Sequence, residues 1–147
     1  DKLEEIFIPI FNLIRNAHTN LTLSRFGLRY INTIVLKGVN FFDWRGYIDN
    51  KLLSILKLTS KQEYITRAFN LIELQYPNFA MKFQYGMHNP DYPASIKKKV
   101  FVLDYDAYHN GQISLNDVKD KLSEFHKAIN KKFENSINAK LRAKLNE

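Results

Sequence analysis

Cysteine is absent from the 147 residues, which excludes disulfides, thiolate nucleophiles and cysteine-held zinc together, because each needs a sulfur. No apolar run approaches the ~20 residues that a membrane-spanning helix needs, and no basic segment precedes the first apolar run as a secretory leader would require. A glycine-rich phosphate loop, a Ser-His-Asp order and a histidine pair at helical spacing are missing too; His18, His88 and His109 stand apart with no ligand spacing between them. Four histidines without a cysteine argue against a hydrolytic or zinc enzyme. The expectation is a soluble, cytoplasmic, non-enzymatic chain with no membrane contact, no cofactor and no metal.

Acidic residues are outnumbered 15 to 22 by Lys and Arg, giving a net charge of +7 and a pI near 9.5. Clustered cations would gain from counterion release on phosphate. Here 16 of the 22 are Lys, many beside Asn, as in a chain from a genome rich in A and T, and such drift scatters charge over a solvated surface. The exception is the run Lys97, Lys98 and Lys99.

With 45% apolar residues a chain of this length folds around one core, burying roughly 70% of the surface exposed when unfolded. Residues 1–147 are expected to form a single α+β domain. The start at Asp1, with a helical apolar pattern following at once, suggests the C-terminal part of a longer protein. From Leu3 to Ala17 apolar residues recur at i, i+3, i+4 and i+7, painting a helical stripe that Pro9 should kink. A strand follows from Arg25 to Lys37. Phe26, Leu28, Tyr30, Ile34 and Leu36 share one of its faces with Asn32, while Arg25, Gly27, Arg29, Ile31, Thr33 and Val35 share the other.

Asp43 to Leu56 predicts a helix capped by Asp43 and weakened by Gly46, and Glu63 to Tyr76 a strand. The cleanest alternation sets Phe79, Met81, Phe83, Tyr85 and Met87 against Ala80, Lys82, Gln84, Gly86 and His88, a half-buried antiparallel strand. After a proline-rich loop, Lys97 to Asp106 predicts the last strand. One long helix from Leu115 to Leu145 presents Val118, Leu122, Phe125, Ile129, Phe133, Ile137 and Leu141 on one stripe. The expected fold is an antiparallel sheet of about four strands packed against that long helix and one or two shorter ones, in the order αβαβββα.

Three segments carry a resemblance: FGLRYINTIVL at Phe26 to Leu36, VLDYD at Val102 to Asp106, and FHKAINKKFENSINAKLRAKL at Phe125 to Leu145. Together they resemble the C-terminal portion of a sporadically distributed family of uncharacterised prokaryotic proteins, with its L-R-Y-I-N strand, L-D-I-D strand end and L-H-x-x-I-x-x-x-F-E helix. The chain departs from that pattern at Phe125 and Tyr105 and lacks the family's N-terminal strands. The resemblance implies a protein of unknown activity in a mobile-element or defence context, and it assigns no catalytic residue.

Five residues are candidate ligand or partner contacts. Asp104 and Asp106, two apart on a strand, point to one face and could act as a carboxylate pair. Arg29 stands on the polar face of the first strand. Asn32 interrupts its apolar face, where a buried amide must find partners. His126 flanks the apolar stripe of the last helix. The segment Asp106 to Asp117 matches a calcium loop at Asp106, Asn110, Gly111, Ile113 and Asp117, but Tyr108 replaces an acid, Asp117 is shorter than the usual Glu, and the approach is strand-like. It reads instead as a strand-to-helix loop turning at Asn110-Gly111, capped by Ser114.

Three functions follow. The first is a non-enzymatic binding or interaction module with an unknown protein partner, which an exposed apolar patch would favour. The second is a small-ligand site between the sheet and the C-terminal helix, with Arg29 or Asn32 fixing the ligand's polar end. The third is nucleic-acid binding through Lys97 to Lys99 and the outer face of the last helix, Lys127, Lys131 and Lys132.

Overall fold

The computed structural model describes residues 2–18, 21–38 and 40–146, with side chains from residue 5 onward. Helix α1 (Lys2–Ala17) is followed by strand β1 (Thr22–Leu36), an irregular stretch with short 3₁₀ turns, strands β2 (Ala68–Gln75), β3 (Ala80–Met87) and β4 (Lys99–Ser114), and helices α2 (Val118–Glu134) and α3 (Ala139–Leu145). The four strands form one antiparallel sheet in the order β1-β4-β3-β2. The fold is therefore α+β, with consecutive strands β2, β3 and β4 as a meander and β1 closing onto its far side.

Alternation sorts the sheet into two unlike faces. Phe101, Leu103, Tyr105 and Ala107 of β4 and Met81, Phe83, Tyr85 and Met87 of β3 lie on the packed face and are buried, as the period-two pattern requires. Phe83 stacks on Tyr105 at 4.6 Å between centroids, and Phe125 of α2 sits between Phe26 at 5.9 Å and Phe79 at 5.3 Å. Leu122, Ile129, Ile137 and Leu141 complete this core with Trp44, Ile48, Leu53 and Leu56 from the irregular stretch. The interior beneath α2 is thus filled by aromatic rings.

Helix α1 is only half engaged. Phe11 meets Phe26 edge-on at 6.0 Å and Arg15 donates to Asn116 Oδ1 at 3.0 Å, yet Ile6, Phe7, Ile10 and Leu13 remain exposed. The Leu3 side chain of the expected stripe lies outside the described residues. Pro9 sits within the helix.

Five sequence expectations need correction. The segment Asp43 to Leu56 is not an α-helix. Asp43 Oδ1 accepts from the Arg45 N–H and its carboxylate pairs with the Arg45 guanidinium, an Asx-type turn that competes with helix, and Gly46 takes φ +81°, which no helical residue can. Only Leu52–Lys57 coils, as a 3₁₀ turn. The strand expected from Glu63 begins at Ala68, after a 3₁₀ turn at Gln62–Tyr64. Strand β4 does not stop at Asp106; it runs on to Ser114 against β1, passing a bulge where the register shifts between Leu23 and Arg25. Asn110-Gly111 is therefore inside a ladder rather than a turn, although Ser114 does cap the following turn through the Asn116 N–H.

The long C-terminal helix is broken at residues 135–138. Ser136 Oγ donates back to the Lys132 carbonyl at 2.8 Å, Asp49 N–H donates to the Ser136 carbonyl at 2.9 Å and Asn138 N–H to the Tyr47 carbonyl at 2.8 Å, and Asn138 Nδ2 reaches the Ile48 carbonyl at 2.9 Å. An Asn-Ser-Ile-Asn run offers these local alternatives to helical bonding. It buries Ile137 as a bridge partner of Ile48.

Candidate functional site on the open face of the sheet

The core cluster draws its sheet residues from the packed face alone, and the helix contacts with rings of the sheet fall there too. The opposite face carries the candidate charges. The register aligns them in rows across the strands: Arg29, Asp106, Lys82 and Glu73 form one row over β1, β4, β3 and β2. The next row is Ile31, Asp104, Gln84 and Leu71, and the one beyond is Thr33, Val102, Gly86 and Phe69.

Within this face Arg29 holds Asp104 with two parallel bonds, Nε to Oδ1 at 2.9 Å and Nη2 to Oδ2 at 2.7 Å. Bidentate guanidinium–carboxylate pairing is the strongest geometry such a pair has. The Arg29 pKa is raised by these hydrogen bonds and by the Asp104 charge. Asp106 faces Arg25 Nη2 at 3.6 Å, Lys82 reaches Glu73 at 3.4 Å, and the Arg25 guanidinium lies over the Tyr108 ring at 4.9 Å. A shallow cleft of about 290 Å³ is lined by Arg29, Leu71, Lys82, Gln84, Asp104 and Asp106.

Asp104 and Asp106 do share a face, as their spacing requires, and each is engaged by an arginine. Their geometry is that of a charge network rather than of a free carboxylate pair. Among the described residues no group of three or more His, Asp or Glu stands together as a metal would need.

Asn32 and His126 lie on the other face, away from the charges. Asn32 Nδ2 donates to the Leu103 carbonyl at 3.3 Å. His126 Nδ1 lies 3.1 Å from the Tyr30 hydroxyl, whose pKa burial pushes up. The five candidates therefore divide into a cluster of three and two separate contacts that tie β1 to β4 and to α2. Sequence reading passed over Lys82, Glu73, Gln84 and Leu71 as site residues. Their face was readable from alternation; their alignment with Arg29 and Asp106 depends on register.

The Lys run is also split. Lys97 and Lys98 are exposed, but Lys99 is buried, with its Nζ near the Trp44 and Tyr47 rings and bonded to the Asp43 carbonyl. Desolvation lowers its pKa.

Removing the Arg29 charge should show how far the network stabilises the fold. Arg29→Met leaves Asp104, 8% exposed, without its guanidinium; the expected cost is about 1–3 kcal/mol, less than for a fully buried pair because Arg29 itself is half exposed. Urea titration should show most of that loss recovered in Arg29→Met/Asp104→Asn.

Comparison with family models, with curated proteins and with solved structures finds no match to this chain. No helix among the described residues is long and apolar enough to cross a membrane.

Proposed function

We propose that this chain is a non-enzymatic interaction module and that the open sheet face is its binding surface. The observation that carries the reading is the exposure there of Ile31 (57%), Val35 (65%) and Leu71 (59%) beside a row of paired charges. Ile31 and Val35 stand on β1 and Leu71 on β2, so exposed apolar side chains flank the charges at both edges of the face. Charges paired within the face fix the orientation of whatever docks.

The test is affinity capture with the intact protein against lysate of its source organism. Ile31→Arg and Leu71→Arg should each reduce the specifically retained material at least about tenfold while leaving the thermal midpoint near that of the parent chain. Equal retention by parent and both variants would sink this reading.

A small-ligand reading is favoured by one observation, a cleft of about 420 Å³ between the end of β1 and the C-terminal helices, lined by Asn32, Val35, Phe133, Leu141, Lys144 and Leu145 among others. Asn32 lies at this cleft, whereas Arg29 is on the opposite face of the sheet.

A further inference from the structure

We infer that the partner of the open face is a second copy of this chain, packed face to face about a two-fold axis parallel to the strands and lying between β3 and β4. The inference rests on the interaction-module reading above and gives that surface its occupant.

The charge order selects both the occupant and the axis. Read across the sheet, Arg29, Asp106, Lys82 and Glu73 alternate plus, minus, plus, minus. A row of four alternating charges changes sign when reversed. A two-fold along the strands lays the row over its own reverse, so Arg29 faces Glu73 of the second copy and Asp106 faces its Lys82. Symmetry makes each contact twice, as in any isologous interface. A two-fold running across the strands would instead set β1 over β1 and, centred on this row, each charge over its like.

The neighbouring rows agree with that axis. Reversal puts Ile31 over Leu71, and Asp104, already paired with Arg29, over the Gln84 amide. It puts Val102 over Gly86 and Thr33 over Phe69. Facing sheets pack ~10 Å apart with a rotation of about 30°, so the pairs nearest the axis, Asp106 with Lys82 and Val102 with Gly86, keep their alignment best.

Net charge gives an independent reason. The chain carries +7, which opposes self-association through most of its surface. The face holds three cations, Arg25, Arg29 and Lys82, against three anions, Asp104, Asp106 and Glu73, joined in ion pairs. It is a neutral window in a basic protein, with apolar residues beside it. Four strands ~4.8 Å apart and eight residues at ~3.3 Å each span on the order of 500 Å² in projection. Stable interfaces use about 800 Å² per partner, so this dimer belongs with the small, weak and reversible interfaces.

The experiment is sedimentation equilibrium from about 10 µM to about 1 mM at low salt, a range suited to a weak and reversible interface, on the parent chain, Lys82→Glu, Asp106→Lys and an equimolar mixture of the two variants. The parent should dimerise. Each variant alone sets two like-charge pairs face to face and should weaken the dimer about 100-fold. In the mixture the carboxylate introduced at position 82 of one copy meets the ammonium introduced at position 106 of the other, and the unaltered Asp106 and Lys82 meet as in the parent, so association should return to near the parent level. Circular dichroism checks that each variant is folded; if one is not, Leu71→Arg, placed at an exposed position opposite Ile31 of the second copy, serves instead and should likewise abolish the dimer.

A parent chain monomeric throughout the range overturns the inference, as does a dimer indifferent to both substitutions or variants whose mixture does not recover. If the parent is monomeric yet Ile31→Arg still loses captured material, the second copy is wrong and the interaction module stands. If neither self-association nor capture responds to the face, both fall.

Discussion

Gly86→Ala is expected to lower the unfolding free energy by about 3 kcal/mol or more, a large effect for one methyl group. Gly86 adopts φ +150°, and a Cβ there would stand 1.9 Å from the Ala68 carbonyl oxygen and 2.8 Å from its carbon. The obstacle is backbone, so no side chain can rotate away to admit it. Either β2 retreats from β3 and gives up ladder bonds near Ala68, or Gly86 leaves its conformation and disturbs the pairing with Val102. Urea titration measures the loss. A change below about 1 kcal/mol would show that β2 is free to shift.

Phe125→Ala should cost about 3–5 kcal/mol, the range for deleting a buried ring and leaving part of its volume empty. Phe125 is fully buried and touches both Phe26 of β1 and Phe79 beside β3, so one ring joins α2 to opposite sides of the sheet. The contrast is Phe7→Ala on α1, where the ring is 43% exposed and the expected loss is within about 0.5 kcal/mol. Thermal or urea unfolding of the two variants side by side checks both figures. Similar losses would mean that α1 is as firmly integrated as α2.

Much of the sheet was legible because alternation reports which side of a strand meets the core. The buried set Phe79 to Met87 emerged intact, and so did the common face of Asp104 and Asp106. Illegible parts were those decided by partners distant in sequence. The second half of β4 contains Asn110-Gly111, locally a turn signal, and is held extended by Thr22 to Phe26 of β1. Likewise, the helical stripe through Ile137 continues past residues 135–138 as a pattern, but backbone bonds to Tyr47 and Asp49 and the Asn138 side-chain bond to Ile48 take over there. At the site, parity along one strand gave Arg29, Asp104 and Asp106. The row that adds Lys82 and Glu73 exists only once β1, β4, β3 and β2 are in register.

The strand order also has a kinetic meaning. Strands β2 and β3 are joined by residues 76–79 and β3 and β4 by residues 88–98, whereas Arg29 meets Asp104 across 75 residues. Closing a loop of that length costs about 2–3 kcal/mol more entropy than closing a four-residue one. Local pairings form ahead of distant ones for this reason, so the meander is expected to assemble first and β1 to arrive last. Until it does, Asp104 and Asp106 have neither arginine beside them, and two of the three ion pairs that neutralise the open face do not yet exist.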